Sequence, residues 1–267
     1  MGVKSVGSKS AGAKKIITEV IVSSVEDCKV AKDANVDRIE LCSSVYPEGG
    51  LTPSIGLLEK VLEIVDPSQI ACMVRPRGGG FLYSDDDYET MLQDLTRFCE
   101  AKVGAVVLGF LNPDFSVDCE KLKRVVDIIQ SNYPKTKCVF HRAFDLTPHA
   151  NQAIDQLISC KVDRVLTSGH RLTAVEGKKE ICDLVKNYSS DIEILAGSGL
   201  NYKNVKDFIV GTNVNQVHMG GHLWKADPTT KSLHIDYSYN DNCKGQYNYL
   251  DSDLVQKFVQ ACAGISI

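Results

Sequence analysis

The residues of this sequence that could do chemistry are acids, arginines, histidines, two hydroxyl residues and one cysteine, and they lie on or directly after short apolar runs. These positions correspond to predicted strands and strand ends. Carboxylates and imidazoles transfer protons, guanidinium groups bind carboxylates and phosphates, and thiols bind soft metals. The candidates are Glu19, Glu40, Cys42, Arg75, Arg77, His141, Arg142, Asp145, Thr167, Ser168 and His218.

Three of these residues are candidate catalytic groups for proton transfer: Glu40, His141 and Asp145. His141 ends an apolar run, and an imidazole titrates near neutral pH. Burial would raise the pKa of Glu40, whereas neighbouring arginines would lower it. A histidine whose ring is hydrogen-bonded for structural reasons explains His141 equally well.

Arg75 and Arg77 are candidates for binding an anion. They lie two residues apart, so they would share one face of a strand, and three glycines follow at 78–80. A planar guanidinium group suits a carboxylate or a phosphate. The alternative is an internal ion pair with Glu40 or Glu19, because buried carboxylates require a partner.

Two glycine-containing segments, 166–169 and 196–200, end later apolar runs. Glycine allows backbone N–H groups and the next helix N-terminus to face an anion, although tight left-handed turns demand glycine too. The candidate anion-binding residues in these segments are Ser168, Gly169, Gly197, Ser198 and Gly199.

Cys42 is the candidate metal ligand. Cu(I) prefers sulfur ligands and accepts imidazole, but the sequence offers no two thiols at a short fixed spacing, which makes a poor preformed copper site. A harder metal would need several imidazoles and carboxylates on facing strands. The donors available for such a metal are Glu19, Glu40, His141 and His218.

Eight short β-branched runs are the predicted strands, and they start near residues 16, 37, 70, 104, 136, 162, 192 and 214. Amphipathic stretches with the period of a helix separate them, and Ser84 before three aspartates predicts a helix start. Eight such βα units form either an open sheet or a closed barrel. The even spacing favours an α/β fold, a (β/α)8 TIM-type barrel over 16–220.

Two segments flank the predicted barrel. Residues 1–15 contain four lysines, no acid and no apolar block, which indicates a disordered basic tail rather than a secretory signal. Residues 221–267 form a C-terminal extension that is rich in aromatic residues and finishes in an amphipathic helix. This extension could cover one face of the barrel, contact a second subunit, or pack as a surface segment.

Composition excludes several classes of protein. The chain has 267 residues, of which 43% are hydrophobic, so it can bury a core. A net charge of −4 provides no positive field for a nucleic acid, and no apolar run is long enough to span a membrane. Ten cysteines without a paired spacing indicate buried thiols in a reducing compartment.

Six motifs in register, between about Thr18 and His218, resemble the CutC copper-homeostasis family. The resemblance implies a barrel, a cytoplasmic setting with nuclear presence also allowed, a homo-oligomer (dimer or tetramer) and copper handling through Cu(I). It implies no organic cofactor. The motifs are DRIELC (37–42), EGGLTPS (48–54), RPRGG (75–79), FLYSD (81–85), FHRAFD (140–145) and LTSG (166–169).

The polar residues of the family's motifs are present in this sequence more completely than its cysteines are. Cys42 matches the family's second-strand cysteine, but Ile21 stands where the family's first strand usually has another. We therefore predict a copper-homeostasis protein of CutC type that binds Cu(I). The alternative is a barrel enzyme acting on a small phosphorylated or carboxylated metabolite, and a third possibility is a scaffold that assembles through its aromatic segment.

Overall fold

The computed structural model describes residues 14–265 and 267, and its centre is a closed barrel of eight parallel strands joined in chain order. All eight begin within two residues of the positions predicted from sequence, so the (β/α)8 prediction is confirmed. The strands are β1 (Ile17–Val22), β2 (Arg38–Leu41), β3 (Ile70–Met73), β4 (Ala105–Leu108), β5 (Lys137–Phe140), β6 (Arg164–Thr167), β7 (Glu193–Ala196) and β8 (Gln216–Met219).

Helices surround the barrel, and each of the first seven follows the strand of the same number. The Ser84 hydroxyl caps the third helix by accepting a hydrogen bond from the Asp87 N–H, as predicted. No described helix is long and apolar enough to cross a membrane. The helices are α1 (Val25–Asp33), α2 (Ile55–Leu62), α3 (Asp85–Glu100), α4 (Cys119–Asn132), α5 (Ala150–Ser159), α6 (Lys178–Tyr188), α7 (Val205–Thr212) and α8 (Ser252–Cys262).

The segment from residue 221 onward contains a hairpin and the eighth helix of the ring. Strands β9 (His222–Ala226) and β10 (Gln246–Leu250) pair antiparallel, and α8 packs against α7, α1 and β1. The Trp224 ring contacts Tyr46, in the loop after β2, at a centroid distance of 4.9 Å. The aromatic segment therefore packs on a loop of its own barrel.

Most of the predicted basic tail, residues 1–13, lies outside the described residues. The last two positions of that tail are held against the barrel. The Lys14 N–H donates to the Ile267 carbonyl at 2.7 Å, and the Lys15 ammonium pairs with Asp37.

The interior of the barrel is divided into an apolar part and a polar part. In a closed barrel, alternate residues of each strand point inward. The inward side chains of β6–β8, β1 and β2 include charged groups that pair with one another, and Arg164, for example, pairs with Glu193 at 2.7 Å. The apolar part consists of Ile21, Cys42, Ala71, Met73, Ala105, Val107 and Val139.

Candidate functional site

A cavity of about 370 Å³ opens at the C-terminal ends of the barrel strands. Residues in or after β1, β2, β3, β5, β6, β7 and β8 line it, and this is the end of a (β/α)8 barrel where working side chains converge. Its polar and charged lining includes Glu40, Glu48, Arg75, His141, Arg142, Ser198 and His218.

Glu19 lies at the base of the site and is fully engaged by two neighbours. The register of the barrel sets Glu19 beside Arg38 on β2 and beside His218 on β8. The Arg38 guanidinium pairs with Oε2, and His218 Nδ1 lies 2.8 Å from Oε1. Burial tends to raise the pKa of Glu19, but Arg38 and then His218 hold it well below its usual range. Glu19 is therefore ionised at neutral pH.

Glu40 is the acid that the cavity leaves available. Its Oε2 lies 3.9 Å from His218 Nε2, and its Oε1 is buried with no hydrogen-bond partner among the described residues. Burial raises the pKa of Glu40 to about 7; the charge on His218 opposes this shift and the charge on Glu19 adds to it. Burial also lowers the pKa of His218, but Glu19 and Glu40 outweigh that effect and raise it. Glu40 can therefore gain or lose a proton near neutral pH.

Glu19, Glu40 and His218 also form the one group in the described part of the chain with metal-ligand spacing, their donor atoms lying within 4.8 Å of one another. Both oxygens of Glu19 are already paired, so only Glu40 and His218 Nε2 would face an ion. The Arg38 guanidinium beside them repels a cation. Two free ligands fall short of the three or four typical of a zinc site, so these residues fit a metal poorly.

His141 lines the cavity, as the sequence predicted, but it is not suited to shuttling protons near neutral pH. Its Nδ1 accepts a hydrogen bond from the Ala143 N–H at 3.2 Å, and its Nε2 is buried without a partner among the described residues. Burial, and then the charge of Arg75, lower the pKa of His141 to about 3. The imidazole is therefore neutral and carries its proton on Nε2.

Arg75 lines the cavity and pairs with neither Glu40 nor Glu19. Its guanidinium donates to the carbonyls of Glu48, Gly50 and Gly79 at 2.5, 3.0 and 2.7 Å. Its buried Nε has no partner in the described structure. The carbonyl contacts hold the guanidinium in place while one N–H stays available.

Arg77, the other predicted anion-binding arginine, lies outside the cavity. Its Nε donates to the Asp87 carboxylate at 3.0 Å, and a terminal nitrogen donates to the Leu82 carbonyl at 2.7 Å. Residues two apart share a strand face only while the strand continues, and β3 ends at Met73. The structure therefore does not bring Arg77 together with the other site residues.

Asp145 positions a neighbour and does not line the cavity. It accepts hydrogen bonds from Arg142 Nε at 2.9 Å, from the N–H and hydroxyl of Ser168 at 3.0 and 2.8 Å, and from the Thr167 hydroxyl. The Ser168 hydroxyl in turn accepts from the Arg142 guanidinium at 2.8 Å. Together they fix Arg142, whose side chain lines the cavity and is 42% exposed.

Of the four other glycine-segment residues, Ser198 and Gly199 reach the cavity. Both have left-handed backbones, with φ of +77° and +73°. A Cβ on Gly197 would lie 2.8 Å from Leu166 Cδ1, and one on Gly169 would lie 2.5 Å from the Gly177 carbonyl oxygen. Gly197 and Gly169 are therefore explained by close packing.

Cys42 lies on the apolar side of the barrel interior. Its thiol donates a weak hydrogen bond to the Val22 carbonyl at 3.7 Å, and burial, followed by the charge of Glu40, raises its pKa well above the usual range. A Cβ on Gly50 would lie 3.5 Å from both Cys42 Sγ and Met73 Cε. Both side chains therefore pack beside Gly50, and they belong to one apolar cluster inside the barrel.

The structure adds two residues to the predicted site. Arg142 was among the strand-end candidates without an assigned role, and His218 was considered only as a possible donor to a metal. Arg142 follows His141 directly, and this adjacency was the available signal. His218 gains its place only from barrel closure, which sets β8 beside β1 and so places His218 against Glu19.

Comparison with known proteins identifies the family. The CutC family model matches residues 16–222. The chain belongs to the CutC family. A CutC family protein of Treponema denticola is 40% identical over 219 residues, which cover 82% of this chain and 87% of the relative. One of Glaesserella parasuis is 38% identical, covering 84% of this chain and 90% of that one.

Solved structures agree with this membership. A Streptococcus agalactiae protein that carries the name copper homeostasis protein CutC has a TM-score of 0.70 and 32% identity, covering 76% of this CutC-family chain and 97% of that chain. Phosphoribosylanthranilate isomerase of Pyrococcus furiosus has a TM-score of 0.55 at 13% identity, covering 94% of this chain and 100% of that one. The second likeness shows the fold alone.

Proposed function

We propose that this CutC-family protein binds a small anionic molecule in the cavity and that Glu40 exchanges a proton with it. The observation that carries the proposal is the Glu40 carboxyl group, which lines the cavity and has a buried oxygen without a partner. A buried polar atom without a hydrogen bond is costly and rare in folded proteins, so this one requires an explanation. A bound molecule that contacts Oε1 would remove that cost.

Positive charge near the cavity suits an anion. Arg142 pairs through Nε with the Asp145 carboxylate, but its guanidinium remains partly exposed, and Arg75 is clamped by carbonyl oxygens and has no carboxylate partner among the described residues. Guanidinium groups held in this way bind carboxylates or phosphates without first losing side-chain freedom. Glu40 and Glu48 also line the cavity, so the anionic part of the ligand belongs beside Arg142.

Calorimetric titration with a panel of small carboxylates and phosphates tests this proposal. At least one compound is expected to bind with a Kd below 1 mM, on the order of −4 kcal/mol. Repeating the titration in buffers of different ionisation enthalpy measures the protons exchanged on binding, and Glu40→Gln is expected to abolish that exchange. Glu63→Gln, at an exposed site, is the control. If no compound binds, the proposal is wrong.

The second candidate function is Cu(I) binding. The name of the Streptococcus agalactiae relative gives that protein a role in copper homeostasis. The observation that favours Cu(I) binding is that Cys42 and Met73 belong to one apolar cluster inside the barrel. Both are soft ligands that Cu(I) prefers. Anaerobic titration is expected to show saturable Cu(I) binding that Cys42→Ser weakens, and unchanged affinity in that variant would remove Cys42 from the copper site.

We also propose a cellular compartment and an oligomeric state for this protein. All ten cysteines are free thiols, and eight of them are buried, which suits the reducing cytoplasm or nucleus. We propose a homo-oligomer, a dimer or tetramer, as the family resemblance implies. Light scattering of the full chain tests the assembly, and a monomeric mass would contradict it.

A further inference from the structure

Two buried N–H groups of the cavity have no partner, and neither is explained by anion binding at Arg142. They are His141 Nε2 and Arg75 Nε, and the residues that carry them are 4% and 6% exposed. Both side chains line the cavity. Buried N–H groups are almost always hydrogen-bonded, so two orphans in one cavity indicate a missing acceptor.

The two groups are held on a common support. The ring of Phe81 lies against the His141 ring at a centroid distance of 4.6 Å, and the Arg75 Cζ lies 5.2 Å from the same Phe81 ring. Gly109 leaves room for the imidazole, since a Cβ there would stand 2.5 Å from His141 Nδ1. Neither donor can turn away to find water without breaking this packing.

The tautomer of His141 is settled by the backbone. Because the Ala143 N–H donates to Nδ1, that nitrogen must be the acceptor, and the single proton of the neutral ring lies on Nε2. Burial, and then the neighbouring Arg75 charge, oppose a second proton on the ring by lowering its pKa. His141 therefore acts as a neutral hydrogen-bond donor, a state in which an imidazole polarises a carbonyl group.

We propose that His141 Nε2–H and Arg75 Nε–H bind one carbonyl oxygen of the ligand, so that the molecules this site takes are anionic carbonyl compounds. This inference rests on the proposed function and specifies its ligand. A carbonyl oxygen has two lone pairs and can accept both hydrogen bonds, whereas a hydroxyl group brings a proton that needs an acceptor of its own.

The same arrangement defines the reaction that Glu40 would perform. The Glu40 carboxylate takes a proton from the carbon next to the carbonyl, the electrons of that C–H bond form a C=C bond, and the carbonyl π electrons move onto oxygen. The two donors stabilise the resulting enolate oxygen. Return of the proton from Glu40 to carbon completes the cycle without any other reactant.

Matched pairs of ligands test the inference: pyruvate against lactate, and dihydroxyacetone phosphate against glycerol 3-phosphate. Calorimetry is expected to show at least tenfold tighter binding of the carbonyl member of one pair, and His141→Phe is expected to remove that preference. Binding of both members with equal affinity, or a preference that survives in His141→Phe, overturns this inference and leaves the proposed function standing. If neither member of either pair binds, and no compound of the wider carboxylate and phosphate panel binds, both this inference and the proposed function are overturned.

Nuclear magnetic resonance of the wild-type protein provides a second measurement that does not depend on a variant folding. With 15N-labelled histidine, the His141 ring is expected to carry its proton on Nε2 and to show no titration between pH 5 and pH 8. A proton on Nδ1, or titration near pH 6.5, would overturn the donor assignment whatever the protein binds.

Discussion

Glu40 on β2 and His218 on β8 face each other across β1, with Glu40 Oε2 3.9 Å from His218 Nε2. His218 is held from its other side by Glu19, which is in turn paired with Arg38. The pair is therefore fixed in position, while the second oxygen of Glu40 has no hydrogen-bond partner among the described residues. Four predictions follow from this arrangement and its surroundings.

Glu40→Gln is expected to change how stability depends on pH. Burial is the main reason why the pKa of Glu40 rises from 4.5 to about 7. The folded state therefore holds the proton of Glu40 more tightly than the unfolded state does. The stability from this group is complete below pH 4.5 and is lost as the pH rises through 7. Glutamine does not ionise in this pH range, so the variant does not lose stability at this position as the pH rises.

Urea denaturation of wild type and Glu40→Gln at pH 4.5 and pH 8 measures this effect. The unfolding free energy of the variant relative to wild type is expected to increase between the two pH values by on the order of 2 kcal/mol. The exposed Glu63→Gln substitution should show no such change. An equal difference at both pH values would mean that Glu40 ionises normally.

Arg142 and Arg77 are expected to differ in anion binding. Arg142 lines the cavity, whereas Arg77 is engaged by Asp87 outside it. Loss of a charge-assisted hydrogen bond costs roughly 1.5–3 kcal/mol. Arg142→Gln is therefore expected to raise the Kd of a carboxylate or phosphate ligand by about 10–100-fold. Arg77→Gln should leave the Kd within about threefold. The reverse ranking in calorimetry would place the anion at Arg77.

Ile21→Cys is expected to strengthen Cu(I) binding. Ile21 belongs to the same apolar cluster as Cys42 inside the barrel, so a thiol there adds a soft ligand near the one already present. Anaerobic competition with a Cu(I) chelator is expected to show at least tenfold tighter binding than in wild type, and Ile21→Val serves as the size control. Affinities that are equal in all three proteins would count against copper at this cluster.

Arg38→Met is expected to destabilise the protein by about 3–5 kcal/mol, because it leaves the Glu19 carboxylate buried without its guanidinium partner. Glu19 is 2% exposed, so water cannot replace Arg38. The comparison variant is Lys60→Met, which removes an exposed ion pair with Glu63 and should cause a much smaller loss, because water can replace the partner. Chemical denaturation at pH 7 measures both, and similar losses would contradict the role of Arg38.

The order of the elements was predictable from local sequence. Each strand is a short β-branched run and each helix an amphipathic stretch, and both patterns depend on residues near one another in the chain. Ser84 before three aspartates likewise specifies its helix start locally. The polar residues after β2, β3 and β5 were predictable as candidates because the strand ends of such a barrel meet at one rim.

Only the tertiary structure decided what each candidate does. Arg77 and Asp145 have the side chains of a binding site, yet Asp87 holds the first outside the cavity and the second fixes Arg142. His141 has the side chain of a proton shuttle, but burial and Arg75 keep it neutral. Such outcomes depend on charges and hydrogen bonds between residues far apart in sequence. Local patterns cannot report them, because pKa and exposure are properties of the folded surroundings.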